Sequence, residues 1–332
     1  MQYYGGYYYN YYPNEILLRQ RAEKNELSRI GIFVGAAVLL HVLFQQIVLL
    51  AAYVEEIAYA YTANAVFPYL FSIIVSILSI FVPFMIMGFA IRKKTGREFM
   101  CYGKPKSVPL TVTVIFFGFF ICLASNFITN IIETYLEAFG IELSSPDVET
   151  PQGVTARIIY AVAVAVVPAL VEEFAFRGVI MQPLRKYGDT FAIVSTAVIF
   201  GIIHGNLIQA PFAFIAGLGM GYAVCITESI WTGVIIHFLN NFYSVLMSFL
   251  VSDIKDEELL NRIYIIIMVA LYSVTIIGSV VFLIVKKKRK LAPSSSILTG
   301  TEKTTAFFLN PTMIIAFIIM LVSIIGYIAL PE

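Results

Sequence analysis

Long apolar runs alternate with short polar segments along most of the chain. Most of the runs approach the roughly 20 residues that a helix needs to cross a hydrocarbon core. The pattern predicts nine membrane-spanning helices, of which the fifth and sixth are short enough to be tilted, partly re-entrant or buried among other helices. The predicted segments are residues 30–52, 66–91, 109–130, 155–176, 190–204, 210–226, 230–250, 263–285 and 312–330.

These segments predict an all-α fold, namely a polytopic membrane helical bundle with an eight-helix core and a ninth span near the C-terminus. The bundle is expected over residues 29–290, with its polar motifs concentrated in 155–250. Residues 291–311 are rich in serine and threonine and predict a linker to the additional transmembrane helix at 312–330.

The N-terminal residues 1–28 do not fit a span. Seven tyrosines fall within residues 1–13, which contain almost no aliphatic side chain that could build a core. Such a composition is typical of disorder. We therefore expect residues 1–28 to form a disordered, tyrosine-rich cytoplasmic tail.

Composition narrows the class of protein. Hydrophobic residues make up 59% of the 332 residues and charged residues 13%, whereas soluble domains carry about a quarter charged residues. An integral membrane protein is therefore predicted, with the lipid bilayer as a partner and no nucleic acid. The three cysteines, Cys101, Cys122 and Cys225, show no CxxC spacing, so neither a disulfide framework nor a thiolate metal site is expected.

Positive charge indicates the orientation. With the N-terminus in the cytoplasm, 19 of the 22 lysines and arginines lie on the cytoplasmic side, and the others are Arg157, Lys255 and Arg262. This distribution follows the positive-inside rule. Short, basic loops favour a multi-pass protein of a bacterial plasma membrane.

Polar side chains inside the predicted spans indicate a functional site, because ionisable groups in a membrane are costly and usually functional. Two adjacent glutamates and an arginine end the fourth span, and histidine or asparagine side chains occur in the fifth and seventh. His41 in the first span has Gln45 as a neighbour at helical spacing and predicts only a packing role. The site residues are Glu172, Glu173, Arg177, His204, His237 and Asn241.

The two glutamates predict different roles. An unpaired buried carboxylate costs several kcal/mol. Arg177 lies one helical turn after Glu173, so this pair can neutralise itself. Glu172 points about 100° away around the helix and is left to face another group, as a general base does.

Distances along the chain predict which groups meet. The polar turn at residues 186–189 lies about 16 residues after Glu172 and about 16 before His204, so an antiparallel hairpin brings these two side chains level. His237 and Asn241 share a helical face. Straight helices leave them about 12 and 8 Å from the level of His204, a gap that would close only with a tilted or re-entrant sixth segment.

Three motifs stand in order within about 70 residues: EExxxR at 172–177, FxxxH at 200–204 and HxxxN at 237–241. Together they resemble the CPBP family of intramembrane proteases, which includes CAAX prenyl endopeptidases and bacteriocin-processing or self-immunity (Abi) proteins. The resemblance covers residues 155–250. It implies a membrane-embedded endopeptidase.

The resemblance also implies individual roles. Glu172 would activate the attacking water, and His204 would help to position it. His237 and Asn241 would donate hydrogen bonds to the oxyanion of the tetrahedral intermediate. Peptide hydrolysis needs these components: a base, a water and an oxyanion stabiliser.

The resemblance implies a supporting role for Glu173 and Arg177 and leaves the cofactor open. Glu172, His204 and His237 also suit zinc with a water as fourth ligand. However, the sequence contains no HExxH motif, and these ligands come from three helices. A metal-free mechanism and a zinc mechanism both remain.

Two other classes of function remain as alternatives. A non-catalytic scaffold or immunity protein would keep the motifs for structure. A proton-coupled transporter would need titratable residues across the bilayer, whereas those found here cluster. The expected substrate is a membrane-associated peptide or protein, and a peptide precursor fits a bacterial membrane better than a prenylated protein.

Overall fold

The computed structural model describes residues 11–51, 53–100, 103–140, 142–143, 150–286, 289–326 and 328–329. They form eleven helices and one two-stranded antiparallel pair, so the predicted all-α class is confirmed. The elements are α1 (Tyr11–Ala51), α2 (Glu55–Ala63), α3 (Phe67–Thr95), α4 (Val108–Ala138), β1 (Glu142–Leu143), α5 (Val154–Tyr187), α6 (Asp189–Ile202), α7 (Gln209–Thr227), α8 (Ile230–Asp253), α9 (Glu257–Val285), α10 (Gly300–Phe308), α11 (Pro311–Gly326) and β2 (Ile328–Ala329).

Seven of these helices are long and apolar enough to cross a membrane: α1, α3, α4, α5, α7, α8 and α9. An eighth span results if α10 and α11, which meet at an angle of 76°, are counted as one bent segment. The fifth predicted span corresponds to α6, which has only 14 residues. Many α6 side chains are buried, so it is a short helix enclosed by its neighbours.

The tail differs from the expected disorder. Residues 11–28 belong to α1, while residues 1–10 lie outside the described residues. Leu27 is buried in the core. Glu23 accepts hydrogen bonds from Ser296 Oγ at 2.5 Å and from the backbone N–H of Ile297 at 3.1 Å. This part of the helix thus contacts a segment more than 270 residues away along the chain. The composition of the tail does not reveal these contacts.

The expected linker is also more ordered than its serine and threonine content suggests. It contains α10, whose first turn is closed by a capping box between Thr299 and Glu302, an arrangement that satisfies free backbone N–H groups. The Asp189 carboxylate accepts a hydrogen bond from the backbone N–H of Ala292 at 2.8 Å. The C-terminal segment is therefore hydrogen-bonded to the start of α6.

Two glycines let the C-terminal helices approach α1 closely. A Cβ at Gly31 would clash with the carbonyl oxygen of Phe307, and a Cβ at Gly35 would lie 2.6 Å from the backbone nitrogen of Met313. Met313 itself is buried in the main core. The last helix is thus packed into the bundle, as small residues at membrane helix interfaces permit.

The helix that contains the glutamates is continuous but not regular. α5 includes π-helical segments at Val162–Val166 and Phe174–Ile180 and ends in a 3₁₀ turn at Arg185–Tyr187. Such π segments are rare and occur frequently at functional sites. The second begins directly after Glu173, so it changes the side-chain register between the glutamates and the end of the helix.

We predict that Gly35→Leu destabilises the protein, because the new side chain must displace the backbone of α11. Overpacking of this kind costs about 1–3 kcal/mol. The measurement is the loss of the monodisperse peak on heating detergent-purified protein. Gly326→Leu in α11 is the matched control, since no atom of the residues that the structure describes lies within 4 Å of a Cβ at that position. Equal melting of the two variants would contradict the packing described here.

Candidate active site

A cavity of about 390 Å³ lies between α4, α5, α7 and α8 and the turn after α6. We call it the reaction cavity. Glu172, His204, His237 and Asn241, the four residues predicted to be catalytic, all line it. The structure therefore brings together three motifs that are far apart in the sequence.

Behind the cavity wall, Glu173 and Arg177 form an ion pair. Arg177 Nη1 lies 2.6 Å from Glu173 Oε1, and both side chains are completely buried. Arg177 Nη2 also donates to the carbonyl oxygen of Gly217 at 3.4 Å, and the guanidinium lies 4.6 Å from the centre of the Phe200 ring. A buried charge needs such partners. The self-neutralising pair predicted from the i, i+4 spacing is thus present.

The same carboxylate orients His237. His237 Nδ1 lies 3.1 Å from Glu173 Oε1. An ionised carboxylate only accepts hydrogen bonds, so Nδ1 carries the proton. Nε2 is then directed toward Glu172 Oε2, 3.9 Å away. A carboxylate that fixes the tautomer and orientation of an imidazole is a recurrent device of active sites.

Close packing holds this carboxylate in place. Its second oxygen, Glu173 Oε2, has no hydrogen-bond partner among the described residues. A Cβ at Gly233 would clash with that oxygen. Only glycine therefore lets α8 approach α5 closely enough for His237 to contact Glu173.

Glu172 has a different environment from its neighbour. Its side chain lines the reaction cavity and is 18% exposed. It forms no ion pair with Arg177, which is committed to Glu173. The expectation that Glu172 faces another group, rather than the arginine, agrees with this geometry.

The depth count was wrong for His237. It contacts Glu173 and approaches Glu172, although straight helices would leave it about 12 Å from the level of His204. The ring centres of His204 and His237 lie 5.0 and 6.0 Å from that of Phe200, so a single phenylalanine ring lies near both histidines.

His204 lies in a turn and not in a helix. Its Nδ1 is 2.7 Å from the carbonyl oxygen of Phe200, which only accepts, so Nδ1 is the donor. The following residue, Gly205, has a φ of +67°, a conformation that favours glycine. His204 and Glu172 share the reaction cavity, as the hairpin predicted.

Asn241 is held by two neighbours. Its Nδ2 donates to the carbonyl oxygen of Val164 at 3.1 Å, and its Oδ1 accepts from Asn240 Nδ2 at 3.1 Å. These bonds fix the orientation of the amide. An amide nitrogen carries two hydrogens, so one N–H of Asn241 remains for a ligand in the cavity.

Sequence reasoning missed the role of Phe200. Besides packing on Arg177, its ring centre lies 5.0 Å from that of His204 and 6.0 Å from that of His237. It separates the cavity from the buried ion pair. The FxxxH motif marked the position, but a phenylalanine in an apolar segment gives no sign of its partners.

Helix α4 also contributes residues that the sequence interpretation did not single out. Cys122, Asn126, Thr129 and Asn130 line the reaction cavity. Three of them are polar residues at i, i+3 and i+4 in a predicted span. That spacing was the available signal, since it places them on one helical face.

The zinc alternative does not fit this arrangement. Among the described residues, no group of three or more His, Cys, Asp or Glu side chains is placed to hold a metal ion. Glu172 Oε2 and His237 Nε2 lie 3.9 Å apart, but His204 does not join them in a group of three ligands. The three predicted ligands share a cavity without forming a ligand set.

Comparison with known proteins agrees with the motifs. Residues 154–243 match the family model described as type II CAAX prenyl endopeptidase Rce1-like. A protein of Bacillus subtilis (strain 168) named "Putative membrane peptidase YdiL" is 28% identical over 169 residues, which cover 50% of this chain and 68% of that protein. No solved structure matches significantly. The resemblance to CPBP proteases is confirmed, and the matches support a membrane protease at the level of the family.

We predict that Arg177→Met destabilises the protein by about 3–5 kcal/mol, because it leaves the Glu173 carboxylate buried without its cation. The double variant Glu173→Gln/Arg177→Met removes both charges and should recover at least half of this loss. Thermal unfolding of the purified variants measures both effects. If the single and double variants melt together, the ion pair does not have the role assigned to it.

Proposed function

We propose that this protein is an intramembrane endopeptidase that hydrolyses a peptide bond of a membrane-associated peptide or protein with a water activated by Glu172. The different environments of the two adjacent carboxylates support this proposal. Glu173 is neutralised by Arg177 behind the wall, whereas Glu172 reaches the reaction cavity. A basic group is thus available where a substrate and a water can meet.

In the proposed reaction, Glu172 removes a proton from a water while the water oxygen attacks the carbonyl carbon of the scissile bond. A positioned general base contributes about 10²–10⁴-fold to such a step. His204 orients the water, because its protonated Nδ1 is held by the Phe200 carbonyl and its Nε2 is left as an acceptor. The proton held by Glu172 then passes to the leaving amine as the C–N bond breaks.

The carbonyl oxygen becomes negatively charged in the tetrahedral intermediate and needs donors. The second N–H of Asn241 is one donor. His237 donates from Nε2 only as an imidazolium, since its Nδ1 already holds a proton on Glu173. The proposed oxyanion site is therefore electrostatic, and preorganised donors of this kind supply a large share of catalysis.

The same proposal includes the setting of the reaction. The bundle of residues 29–290 would hold the site, with the N-terminus in the cytoplasm of a bacterial cell and the substrate drawn from its plasma membrane. A role in peptide or bacteriocin processing, or in self-immunity, is consistent with such a substrate. The asymmetric distribution of lysine and arginine supports the orientation.

We predict that Glu172→Gln and Glu172→Ala both abolish proteolysis, with a loss of at least 10²-fold from removal of the base. Membranes that contain each variant are compared with wild type by mass-spectrometric mapping of new peptide N-termini. Glu137→Gln is the control, because this carboxylate is exposed on α4 and does not line the reaction cavity.

The alternative functions give other results. A scaffold or immunity protein keeps its cellular effect with either substitution at Glu172 and produces no wild-type-specific cleavage. A cleavage product that persists in the Glu172→Gln membranes would assign the base to another residue.

We also predict that a chelator leaves the proteolytic activity unchanged, because Glu172, His204 and His237 are not arranged as a ligand set. Detergent-purified protein is assayed on a cleaved peptide before and after dialysis against 1,10-phenanthroline, with a zinc protease treated in parallel. Loss of activity that added zinc restores would replace the metal-free mechanism.

A further inference from the structure

A second cavity adjoins the reaction cavity between α4, α8 and α9. It has a volume of about 470 Å³, and we call it the entry groove. Three residues line both spaces, and all three are polar: Asn126, Asn130 and Ser244. The two spaces therefore meet at a polar junction, and anything that passes between them moves along these side chains.

The entry groove is polar but uncharged. None of the described residues that line it has a charged side chain. Two of its tyrosine hydroxyls are already bonded, Tyr243 to Met268 Sδ and Tyr272 to the carbonyl oxygen of Leu123, each at 3.0 Å. Uncharged donors and acceptors fit a neutral polar ligand such as a peptide backbone, and they do not fit a phosphate or another ion.

Buried polar atoms near the junction lack partners. Thr129 and Asn240 line the reaction cavity and are each only 6% exposed, and the Oγ1 of Thr129 and the Oδ1 of Asn240 are buried atoms. Neither atom has a hydrogen-bond partner among the described residues. An unpaired buried polar atom costs roughly 1–3 kcal/mol. The two side chains extend the polar lining of the reaction cavity beyond the junction.

The spacing of the two asparagines selects the form of the ligand. Asn126 and Asn130 lie one turn apart on the same face of α4, a separation of about 6 Å along the helix. Alternate residues of an extended chain are about 6.6–6.8 Å apart and point their backbone N–H and C=O groups to the same side. Each side-chain amide can accept from one N–H and donate to one C=O.

From this geometry we propose that Asn126 and Asn130 of α4, together with Ser244 of α8, form a peptide-binding subsite that pairs with the backbone of an extended substrate segment leading to Glu172. The subsite deepens the proposed function and rests on it, since it supplies that reaction with its substrate. A backbone without hydrogen-bond partners is costly in a membrane. The amides of α4 provide the partners that an unwound substrate loses.

Backbone pairing predicts binding that depends on the peptide N–H groups and tolerates different side chains. The probe is a biotinylated, uncharged, apolar dodecapeptide with one benzophenone-bearing residue. A twin with the same side chains has every backbone nitrogen methylated, which removes its donors without reducing its apolar surface. Both are photo-crosslinked to full-length Glu172→Gln protein in detergent, so that no turnover is required.

We predict that the parent peptide labels the residues around Asn126, Asn130 and Ser244, and that the methylated twin labels at least tenfold less, as expected for the loss of two hydrogen bonds. In Asn126→Leu/Asn130→Leu the ratio between parent and twin should fall below about threefold. Asn126→Gln/Asn130→Gln keeps the amides and should keep most of the ratio. Ile128→Ala is the control and should leave the ratio unchanged, because Ile128 is exposed on the opposite side of α4 and lines neither cavity.

Three results would overturn the subsite: labelling outside the junction, no labelling, or a ratio that the Leu variants leave unchanged while they elute and melt like wild type. If the Leu variants misfold, the labelling of the Gln variants by the parent peptide and its methylated twin tests the subsite instead. The test is independent of proteolysis. Should Glu172→Gln prove active while the ratio behaves as predicted, the proposed base fails and the subsite stands.

Discussion

The buried ion pair between Glu173 and Arg177 is the interaction on which the arrangement of the site depends. Both side chains are removed from solvent completely, where an isolated charge would cost several kcal/mol. The pair satisfies each charge and leaves the neighbouring Glu172 without a cation. Two carboxylates at consecutive positions thereby acquire different environments, one structural and one facing the reaction cavity, within a single turn of α5.

The ion pair also determines which residues can surround it. Glu173 orients His237 through Nδ1, and Arg177 places its guanidinium against Phe200 and the carbonyl oxygen of Gly217. Gly233 is required because no Cβ fits beside Glu173 Oε2. Helices α5, α6, α7 and α8 thus meet at one neutral cluster. The positions of the proposed catalytic groups follow from the packing of this cluster, which explains why the three motifs contain residues that never reach the cavity.

The sequence was sufficient for features that depend on local spacing or on composition. The helical fold, the i, i+4 ion pair and the shared cavity of Glu172 and His204 were predicted from such patterns. The position of His237 was not predicted. It depends on the turn after α6 and on the packing of α8 against α5, and the spacing of apolar residues does not determine either of them. The helical structure of α1 before residue 29 was also missed, because it involves contacts between residues far apart in the sequence. Glu23 accepts hydrogen bonds from Ser296 and Ile297, near the other end of the chain.

The segment that matches the family model includes the proposed catalytic residues but little of the entry groove. Residues 154–243 span α5, α6 and α7 and part of α8, and they include every group to which the proposed hydrolysis assigns a chemical step. The entry groove is formed instead by α4, α9 and the second half of α8, and among its lining residues only Tyr243 falls within that segment. The proposed catalytic groups and the proposed peptide-binding subsite therefore share α8 but otherwise lie on different helices. Under these proposals, substitutions on α4 and α9 alter which peptide reaches Glu172 without disturbing the ion pair, so proteins that share the catalytic segment can differ in their substrates.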